Sequence, residues 1–286
     1  MAIEPVNWRT RSRSLSTADH TLVMGVVNVT PDSFSDGGRW DTLETAIARG
    51  LELVAAGADI VDVGGESTRP GAQPVDSVEE RARVIPVVEA LVAEGVVVSV
   101  DTSKPDVADA AIVAGAEIVN DVTGLADKRM LEVCADGGVG VVVMHMQGEP
   151  RTMQIDPTYD DVVVDVATFL ADHASKAVEA GIEPDHIVVD PGIGFGKAFD
   201  HNLALLGNLE RIGGRFPVLV GTSRKRFLGE ILDRAGRPSA PDDRDVATAA
   251  TVALAIAHGA SIVRVHDVAT AVDAARTSDA IVRARP

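Results

Sequence analysis

The stretch Gly115-Ala116-Glu117-Ile118-Val119-Asn120-Asp121 holds one complete joint of the fold. A glycine closes a helix, a short apolar run follows, and polar residues end the run. Glycine past a helix end adopts the left-handed cap that other residues resist. The same opening recurs at Gly57-Ala58-Asp59, Gly181-Ile182-Glu183 and Gly259-Ala260-Ser261. Outward from these joints, Val- and Ile-rich runs predict strands at about 22–27, 59–63, 96–100, 117–120, 139–144, 186–190, 217–221 and 261–265. The runs are continuous rather than alternating, as parallel strands buried on both faces should be. Helical patterns lie between them at about 41–56, 77–94, 105–114, 127–137, 159–181, 201–211, 224–232 with 243–258, and 267–282.

Eight strands, each followed by a helix, predict an α/β protein built as a (β/α)8 TIM barrel, with an open doubly wound sheet as the structural alternative. The length of 286 residues suits one such domain, read here as 21–286. Residues 1–20 are polar, carry Arg9, Arg11 and Arg13, and lack the apolar core of a secretory signal. They read as a loose, flexible tail. The charge-free stretch from Val246 to Val263 is interrupted by His258-Gly259, so it reads as a helix and a strand rather than a membrane span.

Aromatic residues make up only 3% of the chain, so its core must be built from Ala, Val, Leu and Ile. A net charge of −17 argues against nucleic acid or an anionic membrane as partner. An anionic ligand would need a local basic cluster to overcome that field. The single cysteine, Cys134, allows no intrachain disulfide and reads as a small buried residue in a helix, which fits a reducing cytoplasm.

The strand ends carry the chemistry. Asn28 ends the first strand and Asp62 the second, with Glu66, Thr68 and Arg69 beyond it. Asp101 ends the third, Asn120-Asp121 the fourth, His145 the fifth and Asp190 the sixth. Ser223, Arg224 and Lys225 follow the seventh, and Arg264 and His266 close the eighth. In a barrel all of these converge on one rim. An Asp after a strand is also the usual helix cap or turn residue, and Asp62 and Asp121 fit that role. Asp101, Asn120 and Asp190 suit a flat heterocycle with N–H donors, because a carboxylate accepts two parallel bonds from a ring N–H and an exocyclic amine. Lys225 suits a ring carbonyl or nitrogen. Arg264 and His266 share one side of the last strand and suit an anion, as does the helix opened by Thr222-Ser223-Arg224-Lys225-Arg226. Phosphate or diphosphate is the natural anion, and Asn28 with nearby acids could hold Mg²⁺.

Other motifs fail. Gly192-Ile193-Gly194-Phe195-Gly196-Lys197 has the wrong glycine spacing for a Walker A sequence and reads as a mobile loop. Met144-His145-Met146 with Met153 lacks the thiolate or second histidine of a soft-metal site. No Gly-x-Ser-x-Gly elbow occurs. Two long loops, Thr30 to Arg39 and Gly65 to Pro74, follow the first two strands, and such loops are often functional. Leu232 to Arg244 is a polar surface excursion.

The residues taken together resemble the dihydropteroate synthases, the folate-pathway enzymes targeted by sulfonamides. The match runs through Met24-Gly25-Val26-Val27-Asn28-Val29-Thr30-Pro31-Asp32-Ser33-Phe34-Ser35-Asp36-Gly37-Gly38 and Asp62-Val63-Gly64-Gly65-Glu66-Ser67-Thr68-Arg69-Pro70-Gly71. It continues in Ser99-Val100-Asp101-Thr102, Asn120-Asp121-Val122, Met144-His145-Met146-Gln147-Gly148 and Asp190-Pro191-Gly192-Ile193-Gly194-Phe195-Gly196-Lys197. It ends in Gly221-Thr222-Ser223-Arg224-Lys225-Arg226-Phe227 and Arg264-Val265-His266-Asp267.

The resemblance implies condensation of 4-aminobenzoate with (7,8-dihydropterin-6-yl)methyl diphosphate, with Mg²⁺ as cofactor and a homodimeric, cytoplasmic protein. It implies a pterin set of Asp101, Asn120, Asp190 and Lys225, with Val122 and Met144 packing on the ring and Gly221 beside it. Asn28 corresponds to the Mg²⁺ and diphosphate contact, and Arg264 and His266 to the diphosphate anchors. Phe195 corresponds to a place near both pterin and aminobenzoate, Thr68, Arg69, Pro70 and Ser223 to the aminobenzoate side, and Phe34 and Asp36 to the mobile first loop. Asp36, Asp101, Lys225, Arg264 and His266 would then carry the catalysis. Two alternatives stay open: a methyltetrahydrofolate–corrinoid methyltransferase, which shares the pterin acids, and a non-catalytic paralogue.

Overall fold

The computed structural model describes residues 5–30, 39–67 and 73–284. Strands β1 (Asn7–Arg9) and β2 (Ser14–Ser16) pair antiparallel ahead of the repeating units. The units follow as β3 (Leu22–Asn28), α1 (Arg39–Ala55), β4 (Ile60–Gly64), α2 (Ser77–Ala93), β5 (Val98–Asp101) and α3 (Pro105–Val113). Next come β6 (Ile118–Asp121), α4 (Lys128–Gly137), β7 (Gly140–Met144), α5 (Val162–Glu179), β8 (Ile187–Asp190) and α6 (Phe199–Leu206). The last units are β9 (Val218–Val220), α7 (Arg226–Arg234), α8 (Asp245–Ala257), β10 (Ala260–Val265) and α9 (Val268–Arg283). Strands β3 to β10 pair in parallel in chain order, and β10 returns to β3, so the barrel is closed.

Local chemistry accounts for the joints. At the α3–β6 joint, Gly115 has φ 105° and the Ala116 N–H donates to the Ala111 carbonyl at 2.9 Å, the bond that ends a helix through a left-handed residue. Gly57, Gly181 and Gly259 also have positive φ, as their sequence positions predict. Aspartates start several helices: Asp76, Asp127, Asp161 and Asp267 each accept a first-turn N–H, which satisfies an otherwise orphaned donor.

Two apolar layers fill the fold. Alternate strand residues, such as Val23, Val61, Val98, Val119, Val141 and Ile187, pack outward against the helices. The opposite parity, Leu22, Met24, Ile60, Val97, Ile118, Val142, Val188, Leu219 and Ile262, fills the amino-terminal half of the barrel interior. The charge-free run resolves into α8 and β10, and among the described residues no helix is long and apolar enough to cross a membrane.

The loose-tail expectation for residues 1–20 is corrected for the described part, which is ordered against the barrel. Trp8 is 1% exposed and joins the interior layer, and its indole N–H donates to the His186 carbonyl at 2.9 Å. Gly140 makes room for it, since a Cβ there would stand 3.1 Å from Trp8 Nε1. Glu117 accepts from Thr10 Oγ1 at 2.6 Å and the Ser12 N–H at 2.8 Å. The segment is polar because only alternate residues face inward, and one tryptophan closes the floor. Trp8→Ala should therefore cost about 3–5 kcal/mol. Chemical unfolding would show a lowered midpoint with substrate kinetics little changed, because the floor lies opposite the rim. An unchanged midpoint would contradict the plug.

Candidate active site

The inward parity that gives apolar residues at the floor gives polar ones one step higher, since side chains two residues apart share a face. Ile60 leads to Asp62, Val97 to Ser99 and Asp101, Ile118 to Asn120, Val188 to Asp190, and Ile262 to Arg264. The barrel thus carries a charged layer stacked on its apolar layer, towards the carboxyl ends of the strands.

Arg264 ties that layer together. Its Nε donates to Asp62 Oδ2 at 2.6 Å and its Nη2 to Asp101 Oδ2 at 2.5 Å. Asn120 Nδ2 donates to the same Asp62 oxygen at 3.1 Å, which leaves the Asn120 carbonyl oxygen as the free acceptor of that amide. Burial, opposed by Arg264 and reinforced by Asp62, pushes the Asp101 carboxyl above its usual range. Burial also raises Asp190, against the pull of Lys225. Asp190 Oδ1 accepts the Gly192 N–H at 2.7 Å. Lys225 is lowered to about 8, chiefly by burial, while Asp190 opposes the shift. Met144 is buried and in register with Asp190 on the next strand, and the buried Val122 directly follows the Asn120-Asp121 strand end.

Two readings change here. Asp62 is not a cap: it is fully buried, faces inward, and orients both Arg264 and Asn120. Its parity with Ile60 was the sequence signal for this. Asp121 is the turn residue expected, accepting from the Thr123 N–H at 2.8 Å and the Leu125 N–H at 3.1 Å. Arg264 reaches down into the acidic layer, whereas the sequence paired it with His266 at an anion site.

The loop after β8 forms one wall. Among the described residues its carbonyls are held one after another by different side chains. Lys225 donates to Ile193 O, Gln154 to Gly194 O at 2.5 Å, Lys197 to Phe195 O at 2.9 Å, and Tyr159 to Gly196 O at 2.6 Å. The sequence reading of a mobile loop is therefore corrected to a pinned one. Lys225 Nζ lies 4.5 Å from the centre of the Phe195 ring. Lys197 is buried against His145 Nδ1 at 2.9 Å, and burial pushes its ammonium well down. Burial, then Lys197, lowers His145 to about 3. His145 thus supports the wall rather than joining the other strand ends.

Next to this wall, after the neighbouring strands β9 and β10, the His266 N–H donates to Ser223 Oγ at 3.1 Å, and His266 Nδ1 lies 2.9 Å from the same oxygen. Gly221 carries no side chain at the level of Arg264. Arg224 does not present a free charge, because its guanidinium pairs with Asp242 and Asp245. Asn28 stands half-buried at the end of β3. Phe34, Asp36, Thr68, Arg69 and Pro70 lie outside the described residues.

A family model for pterin binding enzymes matches residues 24–266, which spans every one of these groups. The dihydropteroate synthase of Bacillus subtilis is 46% identical over 275 residues, covering 95% of this chain and 92% of the relative. That of Mycobacterium leprae is 49% identical over 271 residues, covering 92% and 94%. The chain belongs to the dihydropteroate synthase family. A solved synthase structure, that of Xanthomonas albilineans with 4-aminobenzoic acid, superposes with a TM-score of 0.89 at 46% identity, over 100% of each chain. In this member of the dihydropteroate synthase family the acids and cations of the rim interleave, with Arg264 set between Asp62 and Asp101.

Proposed function

We propose that the chain condenses (7,8-dihydropterin-6-yl)methyl diphosphate with 4-aminobenzoate, giving 7,8-dihydropteroate and diphosphate. The observation that carries the reading is the buried layer of Asp101, Asn120 and Asp190 beside Lys225, within a chain matched end to end by synthases. Largely buried acceptors suit the N–H edge of a pterin, and Lys225 suits its carbonyl or ring nitrogen. Val122 and Met144 offer the ring its apolar contacts.

The methylene–oxygen bond to diphosphate breaks, the amine nitrogen bonds to the methylene carbon, and the amine gives up a proton. An aromatic amine is neutral near pH 7 and needs no strong base. Expelling diphosphate is the harder task, and electron donation from a pterin held by Asp101 and Asp190 favours a dissociative path. A ligand that takes Asp101 competes with Arg264 for it, which frees Nη2 of the guanidinium to face the leaving group with His266 while Nε stays on Asp62.

Mg²⁺ is part of the proposal. Among the described residues no cluster of three or more His, Cys, Asp or Glu could hold a metal. A cation carried on diphosphate needs few protein ligands, and the amide oxygen of Asn28 is a hard donor that fits one. When bound it would neutralise charge on the departing diphosphate.

The kcat/KM profile reports the free enzyme's groups. Lys225 must hold its proton, so the rate should fall as pH rises through about 8. The raised Asp101 and Asp190 must lose theirs, so the acid limb should lie above the ordinary carboxylate range. A flat profile from mildly acidic to mildly alkaline pH would contradict both assignments.

Exposed Val246 and Leu254 on α8 and Ile281 on α9 support a homodimer, to be checked by sedimentation. The buried, unpaired Cys134, its thiol raised to about 12 by burial, supports a cytoplasmic setting. The activity is tested by giving purified protein both substrates and Mg²⁺. Dihydropteroate should form. Methyl transfer to cobalamin instead would favour the corrinoid methyltransferase reading.

A further inference from the structure

Lys225 N–H donates to the Thr222 carbonyl at 3.2 Å and closes a four-residue turn after β9. Arg224, third in that turn, has φ 60°. A positive φ at this position normally selects glycine or asparagine, because a Cβ crowds the following carbonyl. A strained residue persists only where its surroundings over-determine it.

The surroundings here come from one distant segment. Asp245 grips Arg224 with both oxygens, Oδ1 to Nε and Oδ2 to Nη2, each at 2.9 Å. Asp242 takes the remaining nitrogen, Nη1, at 2.5 Å. The Arg224 N–H donates to Thr248 Oγ1 at 3.2 Å, and its carbonyl accepts from Arg244 Nη1 at 3.1 Å. Arg244 is seated in turn: it donates to Ser239 O at 2.8 Å and lies over Gly229, where a Cβ would come within 2.6 Å of the guanidinium. Side chain, N–H and carbonyl of Arg224 are therefore all engaged by residues 242–248. Its two neighbours face the barrel mouth, Ser223 against His266 and Lys225 against Ile193 O and Phe195.

We propose that Asp245, with Arg244 and Asp242, is a positioning residue that clamps the Thr222–Lys225 turn so that Ser223 and Lys225 point into the active site. The polar excursion thus serves the site without touching it. Arg224 is the handle by which the clamp holds the backbone, not a ligand for the anion. The inference rests on the mouth being the synthase site, but it concerns the turn.

Three single variants test it: Arg224→Ala, Arg224→Gly and Asp245→Ala. R224A and D245A keep the strain and lose the side-chain grip of the clamp, so kcat/KM should fall about tenfold or more, with KM rising for both substrates. R224G also loses that grip but adopts the positive φ freely, so it should stay within about threefold of the parent chain. Rescue by glycine over alanine is an effect that side-chain bulk or charge alone would not produce. Equal loss in R224A and R224G would overturn the proposal in favour of direct contact between Arg224 and substrate. Normal rates in all three would overturn it as well. Amide exchange across residues 222–228 reads the turn without substrate, so it stands even if the unaltered protein makes no product. Faster exchange in R224A and D245A but not in R224G supports the clamp, and equal exchange in all of them overturns it.

Discussion

Asp101→Asn and Asp190→Asn should each lower kcat/KM by about 10²–10⁴-fold while leaving the protein folded. Each substitution keeps the volume and one acceptor oxygen, so the internal bonds survive: Arg264 to position 101, and the Gly192 N–H to position 190. What is lost is a buried negative charge that can accept two bonds from one ligand edge. A hydrogen bond to a charged group is worth about 1.5–3 kcal/mol, and the amide NH₂ placed against a ligand N–H adds a clash of donors. Burial raises both carboxyls, so removing their charge should not lower the unfolding midpoint at neutral pH. Steady-state kinetics beside thermal unfolding make the check. Near-normal kinetics in both variants would remove these acids from the site.

Lys225→Ala should cost about 10²–10³-fold in kcat/KM, for a different reason. Lys225 bridges ligand and wall: it donates to Ile193 O and lies over the Phe195 ring. The wall itself should persist, because Gln154, Lys197 and Tyr159 hold the next three carbonyls. The loss should therefore appear in catalysis rather than stability, and the residual rate should lose its alkaline limb. Arginine should not restore it, since a planar fork cannot replace an ammonium in an enclosed position. A residual profile that still fell near pH 8 would assign that limb to another group.

The fold was legible because its signal repeats. Each unit offers a short apolar strand and a polar strand end, and four joints add a capping glycine, so an error in one unit is outvoted by the others. The floor was not legible. Residues 1–20 are polar in composition, and only the inward parity of Trp8 reveals their role. Most of the rim was visible as polar strand ends, but strand-end position does not say which way a side chain points. Asp62 and Asp121 occupy similar places, yet one orients Arg264 inside the barrel and the other closes a turn outside it. His145 looks like a rim residue and instead meets Lys197 behind the wall. The pairing of Arg224 with Asp242 and Asp245 spans some twenty residues, across α7 and the polar stretch after it, and no periodicity marks it. The substrates came from the family resemblance, since charge and parity alone describe a flat donor-rich ring and an anion.

The most direct test of the account is diphosphate release by the purified protein, measured against dihydropteroate formed from the same mixture of both substrates and Mg²⁺. The two products should appear in equal amounts, with no dihydropteroate when 4-aminobenzoate is left out, and both should form at least about 10²-fold more slowly in Asp101→Asn. Absence of diphosphate, or near-normal rates in that variant, would overturn the synthase reading of the site.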